Sequence, residues 1–220
     1  MKPKRHTVEL AGDGFHITAC FGADACEHRA LNAPELPQRI FDALTELGVG
    51  ETLRQRIGST LKAHNIIKIS ISYCPNACAR SQIADVGLIG AAAPNFNPEC
   101  CIACGACSDV CREGAIRLDE AGILTSIDRE KCANCGACTK VCLNGCIVDA
   151  STGFRLMLGG KLGRHPRFAE ELTGLRQPDD IPVLVARCIK NYLKLAQGHE
   201  RMGDVVNRVG AAALSRPDSE

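Results

Sequence analysis

Apolar positions recur along this chain with two periods, one typical of strands and one typical of helices. Isoleucine alternates with polar residues over 66–72, which predicts a half-buried strand that leads directly to Cys74. Over 40–47 the apolar residues fall at helical spacing, and Gly48 follows where glycine commonly ends a helix. Both kinds of element are therefore expected in the first part of the chain.

Further elements follow from the same patterns. A short strand is expected at the start of 15–28, where it continues into a cysteine-bearing loop, and other strands over 83–90 and 153–160. Helices are expected over 51–63, 181–197 and 201–214. The stretch 91–99 contains two prolines and is predicted to be a linker. Together these elements predict an α+β fold.

The composition changes between Cys100 and Cys146, where cysteine and glycine dominate and the two halves match at a period of 31 residues. We interpret this segment as a ferredoxin-like module inserted into a larger domain. The predicted organisation is a first domain segment over 1–97, the insert over 98–147 and a second domain segment over 148–220.

Charge and hydropathy argue against several classes of partner. The 26 lysines and arginines balance 25 aspartates and glutamates, so no overall field attracts nucleic acid or an anionic membrane. Aromatic residues make up 4% of the chain, with no tryptophan, which argues against stacking of single-stranded bases. No apolar run is long enough to span a bilayer, and no apolar signal core follows the first residues. We therefore expect a cytoplasmic protein with no nucleic-acid or membrane partner.

Fifteen cysteines are present, and eight of them form two runs spaced C-x2-C-x2-C-x3-C, which indicates metal thiolates rather than disulfides. In this pattern three cysteines of a run surround one cubane, and the fourth binds the other cubane. The spacing predicts two [4Fe-4S] clusters, one on Cys101, Cys104, Cys107 and Cys142 and one on Cys132, Cys135, Cys138 and Cys111. Gly105 and Gly136 are expected to let backbone N–H groups approach the sulfurs. Two zinc sites are the alternative, although zinc does not require the fourth cysteine of each run.

Four more cysteines form a second constellation, spaced as Cys20-x5-Cys26 and Cys74-x3-Cys78. Both pairs follow predicted strands, so their four thiolates could meet around a third cubane. Free cysteine is also commonly buried in protein cores, and these four could be buried without a ligand role. On spacing alone both interpretations stay open.

The pattern C-x5-C followed by C-P-N-x-C, then IADVGLIG and GFRLMLGGKLGRHP, resembles the siroheme-dependent sulfite and nitrite reductases. The resemblance covers approximately 14–97 and 148–198. It implies the siroheme-[4Fe-4S] domain fold of that family, with a third [4Fe-4S] cluster on Cys20, Cys26, Cys74 and Cys78. It also implies that Cys78 bridges this cluster to the siroheme iron as the catalytic cysteine. The insert is similar to that of dissimilatory and anaerobic sulfite reductases, and the short half resembles the small assimilatory-type enzymes.

The same resemblance implies a siroheme pocket, and the many carboxylates of siroheme require many hydrogen-bond donors. The expected pocket residues are Asn76, Arg80, Arg155, Gly159, Gly160, Lys161, Arg164 and His165. Taken singly, each basic residue could instead be a solvated surface charge. Cys100, Cys146 and Cys188 exceed the twelve ligands of three clusters. We expect Cys188 in the core, whereas Cys100 and Cys146 lie at the edges of the insert.

The expected activity is the six-electron reduction of sulfite to sulfide, with electrons entering through the insert and reaching siroheme through Cys78. Reduction of nitrite to ammonia is one alternative, and a non-catalytic iron-sulfur electron-transfer subunit is another. Only nineteen residues precede Cys20, whereas members of the family carry a substrate-side segment there. We therefore expect a homo- or hetero-oligomer, in addition to an electron-donor protein or subunit.

Overall fold

The main sheet has six strands, and two further strands form a separate hairpin. A computed structural model describes residues 7–23, 26–58 and 60–217, so residues 24 and 25 of the predicted cysteine loop and Ser59 of the predicted second helix lie outside the described residues. The strands are β1 Val8–Gly12, β2 Phe15–Ala19, β3 Ile67–Ser72, β4 Val86–Phe96, β5 Ile116–Leu118, β6 Leu124–Ile127, β7 Ile147–Leu158 and β8 Glu170–Arg176. The main sheet has the order β1-β2-β3-β4-β7-β8, with β2, β3 and β4 parallel and the other neighbours antiparallel.

One face of the main sheet packs against helices. The helices are α1 Leu36–Glu46, α2 Val49–Ile57, α3 Ala106–Val110, α4 Ala137–Val141, α5 Ile181–Leu195, α6 Met202–Val209 and α7 Ala211–Ser215. The core joins apolar side chains of five main-sheet strands, β2, β3, β4, β7 and β8, with those of α1, α2, α5, α6 and α7. Matched registers bring Ile17, Ile69 and Val86 to the same face. Burial of each such side chain contributes about 1.5–3 kcal/mol, which fixes the sheet against the helices.

The other face of β3 is covered by the loop that follows it. Ser70 and Ser72 are the polar positions of the predicted half-buried strand, yet both are buried. The Ser70 hydroxyl donates to the carbonyl oxygen of Ala79. The Ala79 N–H donates to the Ser72 hydroxyl at 3.2 Å, and the Ser81 hydroxyl donates to Ser72 at 3.0 Å. These bonds hold the loop between β3 and β4, with Cys74 and Cys78, against the sheet.

The predicted linker at 91–99 is wrong, because most of this stretch belongs to β4. The strand β7 pairs with β4 along its whole length, from Val86 opposite Leu158 to Phe96 opposite Ile147. The register shifts at Pro94, where a missing N–H is tolerated because the ladder is irregular there. Hydrogen bonding to a distant partner therefore outweighs the local preference of proline for a loop.

Other element boundaries differ from the sequence-based expectation for local reasons. The second helix ends at Ile57, because Gly58 adopts a left-handed conformation with φ 72°. Gly210, with φ 79°, separates α6 from α7 within the predicted helix over 201–214. The edge strands β1 and β8 were not predicted. No helix in the described ranges is long and apolar enough to cross a membrane.

Candidate functional site

Cysteines from both runs of the insert border a cavity of about 280 Å³. The first run contributes Cys101, Cys104 and Cys107, and the second contributes Cys142; we call these four cysteines the first site. The short helix α3 begins after Gly105, whose φ of 72° starts the turn between the second and third cysteines. The structure thus brings together the four cysteines that the crossed pattern assigns to one cluster.

The other four cysteines of the insert border a second cavity of about 370 Å³. They are Cys111, Cys132, Cys135 and Cys138, which we call the second site. Burial raises the pKa of Cys138 to about 11, so binding of a metal at this sulfur would release the thiol proton to solvent. The wall of the same cavity includes Cys74, Pro75 and Asn76, which lie outside the insert.

The remaining constellation meets at one edge of the main sheet. Cys20 directly follows β2 and Cys74 lies just beyond β3, and these parallel strands end at the same edge. Burial raises the pKa of both thiols, and the charges of Cys26 and Cys78 raise it further. We call these four cysteines the third site. Cys20 and Cys74 are buried, whereas Cys78 is exposed.

The donor sets of the first and second sites suit cubanes. Within the described residues, no three cysteine, histidine or acidic side chains converge closely enough to hold a single metal ion. The cysteines of the first and second sites instead surround cavities larger than the ~150 Å³ that accommodates benzene in an engineered protein core. Four thiolates spread around such a volume suit a cluster, in which each iron takes one cysteine, better than one zinc ion.

Each site contains a residue in the left-handed conformation immediately before a cysteine. These residues are Ala77 before Cys78, Ala103 before Cys104 and Asn134 before Cys135, with φ between 48° and 56°. The conformation is uncommon outside glycine, and strain of this kind concentrates at functional sites. Asn134 is the one member whose residue type signals this conformation, so the sequence patterns missed the shared turn.

Backbone N–H groups approach the cysteine sulfurs of the insert. Leu124 N–H donates to Cys101 at 3.5 Å, and Ala115 N–H donates to Cys111 at 3.3 Å. The pKa of Cys101 is lowered by the Leu124 N–H first and by the Ala103 N–H second. Gly136 is also required for close packing, because a Cβ at this position would lie 2.9 Å from the Cβ of Ala92.

The three surplus cysteines occupy different environments. Cys188 is fully buried in the main core, and burial raises its pKa to about 12. Cys100 is exposed and Cys146 is buried, and both border the cavity of the first site. The Cys146 thiol donates to the carbonyl oxygen of Asn97 at 3.1 Å.

The residues expected around siroheme fall into three groups. Asn76, Arg80, Arg164 and His165 are exposed. Arg155 donates to Glu171, with 2.8 Å between Nε and Oε1, and Lys161 forms an ion pair with Asp204. The two glycines sit at tight contacts within the chain, because a Cβ would lie 2.8 Å from Val206 at Gly159 and 2.7 Å from the Ala84 carbonyl oxygen at Gly160.

The Cys78 loop is joined to the hairpin that carries Arg164 and His165. Ala77 packs in one small cluster with Ile89, Met157 and Ala169. The Ala169 N–H donates to the Gln82 carbonyl oxygen at 2.7 Å. Two large apolar side chains of the same hairpin region are exposed, Leu162 at 57% and Phe168 at 76%. The loop that carries Cys78 therefore contacts a hairpin with exposed apolar and basic side chains.

An α+β fold with two groups of four cysteines around cavities is typical of an iron-sulfur redox protein. The chain belongs to the nitrite and sulphite reductase 4Fe-4S domain family, whose model matches residues 13–216. This match confirms the resemblance inferred from the cysteine motifs, together with the predicted fold class.

Relatives with curated names are sulfite reductases. The coenzyme F420-dependent sulfite reductase of Methanocaldococcus jannaschii is 34% identical over 194 residues, which cover 87% of this chain and 28% of the relative. A component of the anaerobic sulfite reductase of Salmonella typhimurium is 31% identical over 107 residues, which cover 49% of this chain and 27% of the relative. The chain thus spans little more than a quarter of the length of these two proteins.

Two solved structures share the fold. Dissimilatory sulfite reductase I is 16% identical with a TM-score of 0.56, over 94% of this chain and 52% of that chain. The NirA protein of Mycobacterium tuberculosis is 23% identical with a TM-score of 0.50, over 90% of this chain and 26% of that chain.

Proposed function

We propose that this chain carries the siroheme-[4Fe-4S] part of a sulfite reductase, which reduces sulfite to sulfide with six electrons delivered through the insert. One observation carries the proposal: the cavity of the second site has Cys74 of the third site on its wall. A cluster in the insert would thus lie next to the cluster on the main sheet. Electrons would pass from the first site to the second and then to the third.

The crossed ligands support the first step of this path. Cys111 follows α3 and belongs to the second site, and Cys142 follows α4 and belongs to the first site. Each run therefore holds both clusters, which keeps them close to each other. A protein that only stored metal would have no need for this arrangement.

The exposed Cys78 is the proposed bridge between the third cluster and siroheme. Its buried neighbours Cys20 and Cys74 face the interior, so Cys78 is the ligand with an open side. When bound, siroheme supplies the iron at which the oxyanion is held and reduced. The chain would hold the carboxylates of siroheme through exposed donors, namely Asn76, Arg80, Arg164 and His165.

The surface around Cys78 fits such a group. A macrocycle with an apolar body and charged edges needs apolar contacts and basic side chains together, and Leu162 and Phe168 are exposed next to Arg164 and His165. Arg155 is held by its ion pair with Glu171, and Lys161 by its ion pair with Asp204. These two basic side chains would therefore position the surface that holds siroheme.

Turnover tests the proposal directly. The protein is purified without oxygen, loaded with iron, sulfide and siroheme, and supplied with reduced viologen and either sulfite or nitrite. Sulfide from sulfite is the expected product. Ammonia from nitrite would change the assigned substrate, and no product from either anion would contradict the enzymatic function.

A non-catalytic electron carrier is the second candidate, because carboxylates neutralise two of the basic residues expected to bind siroheme, Arg155 and Lys161. Visible spectra separate the two candidates, since siroheme has strong bands that cubane clusters lack. Broad iron-sulfur absorption without extractable tetrapyrrole, at about twelve irons per chain, would favour the carrier.

A further inference from the structure

A lysine of the insert reaches the loop that follows the second cysteine of the third site. Lys140 lies on α4, between Cys138 of the second site and Cys142 of the first site. Its ammonium group donates to the carbonyl oxygen of Glu27 at 3.2 Å and to that of Arg29. These two carbonyls lie one and three residues after Cys26, so one side chain connects the ligand loops of two sites.

The same part of the insert also contacts β4. The Ala92 N–H donates to the Asn134 carbonyl oxygen at 2.7 Å, and Arg129 donates to the Pro94 carbonyl oxygen at 2.6 Å. Gly136 lies against Ala92 at a distance that leaves no room for a Cβ. These contacts dock the insert on β4.

Lys140 contacts a different part of the main domain from Arg129 and Asn134. Arg129 and Asn134 connect the insert to β4, whose position the sheet already fixes. The loop after Cys26 belongs to no helix or strand, and Lys140 attaches it to α4, the helix that lies between Cys138 and Cys142. An ammonium group has three donors and no acceptor, so it can serve two carbonyl oxygens at once.

We infer that Lys140 is a positioning residue that holds the second and third sites together and so sets the gap that electrons cross between them. The inference rests on the proposed function, because it assumes that electrons follow this route. Lys140 itself binds no iron and touches no substrate. Its role is to keep the loop of Cys26 docked on the insert.

Three variants of the iron-loaded protein test this role. Lys140→Met removes the hydrogen bonds, and Lys140→Arg keeps donors for both carbonyls. Lys131→Met is the matched control, because Lys131 is also a cation of the insert, next to Cys132, but it pairs with Asp128 inside the insert. Electron paramagnetic resonance of the reduced protein reports the spin interaction between the second and third clusters. Hydrogen exchange of the peptide that contains Ala30 reports the order of the loop after Cys26, because the Ala30 N–H bonds to the Tyr73 carbonyl oxygen at 2.8 Å.

We expect Lys140→Met to lose the spin interaction and to exchange about tenfold faster at Ala30, since a hydrogen bond from a charged group is worth at least about that factor. Lys140→Arg and Lys131→Met should both resemble the wild type. Unchanged interaction and exchange in Lys140→Met would overturn the inference, as would an equal effect of Lys131→Met. If Lys140→Met fails to load iron, Lys140→Arg decides the question. A full spin interaction in Lys140→Arg supports the inference, and loss of the spin interaction in this variant overturns it. Absence of sulfite turnover with an intact spin interaction in the wild type would refute the proposed function alone.

Discussion

Replacement of Cys146 by alanine should lower the reduction potential of the cluster in the first site and leave the iron content unchanged. The Cys146 thiol is buried next to Cys101, and its hydrogen bond is a lesser cause of the lowered pKa of Cys101, after the N–H groups of Leu124 and Ala103. The thiol hydrogen can rotate between the Cys101 sulfur and the Asn97 carbonyl oxygen. A donor to a ligand sulfur stabilises the reduced, more negative cluster, so its removal disfavours reduction.

The size of the shift follows from the weakness of an S–H donor. A hydrogen bond to a charged group contributes about 1.5–3 kcal/mol, and an S–H group gives less, about 1 kcal/mol. If about half of this energy is present only in the reduced cluster, the hydrogen bond favours the reduced over the oxidised cluster by about 0.5 kcal/mol. At about 59 mV for each tenfold change in a one-electron equilibrium, the potential should fall by about 20 mV. Potentiometric titration followed by electron paramagnetic resonance measures this change.

Two further variants separate the hydrogen bond from other effects. Cys146→Ser keeps a donor and should recover part of the potential. Cys100→Ala removes an exposed cysteine from the wall of the same cavity and should leave the potential unchanged. An unchanged or higher potential in Cys146→Ala would refute the reasoning. Loss of a cluster from the first site would show that Cys146 is a ligand.

Three more predictions address the other residues of the site. Cys78→Ser should abolish the magnetic coupling between siroheme and the third cluster and most activity, while the first and second sites keep about eight irons; unchanged coupling would exclude the bridge. Arg80→Gly should leave the melting temperature equal or slightly higher, because glycine accepts the left-handed φ of 62°, but should reduce the siroheme retained on gel filtration. Cys188→Ser should keep full iron content and lower the melting temperature by about 2–8 °C. The reason is that a buried hydroxyl costs about 1–2 kcal/mol even when it bonds within its helix. Loss of iron from this variant would contradict a core role for Cys188.

The cysteine groups of the insert could be predicted because their geometry is local. A C-x2-C-x2-C run places three sulfurs on one loop, and the next helical turn carries the fourth away from them. The structure brings Cys111 to the second site and Cys142 to the first, as the spacing predicts. The family resemblance added the third site, since two separate cysteine pairs at strand ends do not identify their partner by spacing alone.

Features that depend on distant partners could not be predicted. Lys161 pairs with Asp204, 43 residues away, and Lys140 bonds to Glu27, 113 residues away. Nothing in the local sequence of either lysine distinguishes it from a solvated surface charge. The extension of β4 through Pro94 has the same origin, because its partner β7 lies beyond the whole insert. In each case tertiary pairing outweighs the local signal.

The exposure of the cysteines gives the proposed electron path two open ends. At the first site Cys104 is exposed, and Ile102 and Leu143 beside the cavity are 64% and 96% exposed, so a donor can approach this cluster closely. Cys138 of the second site and Cys74 of the third are buried in the middle of the path. Cys78 then returns to the surface. Under the proposed function, a path that begins and ends at exposed cysteines would deliver electrons to a group bound at Cys78, and this requirement accounts for the exposure of Cys78.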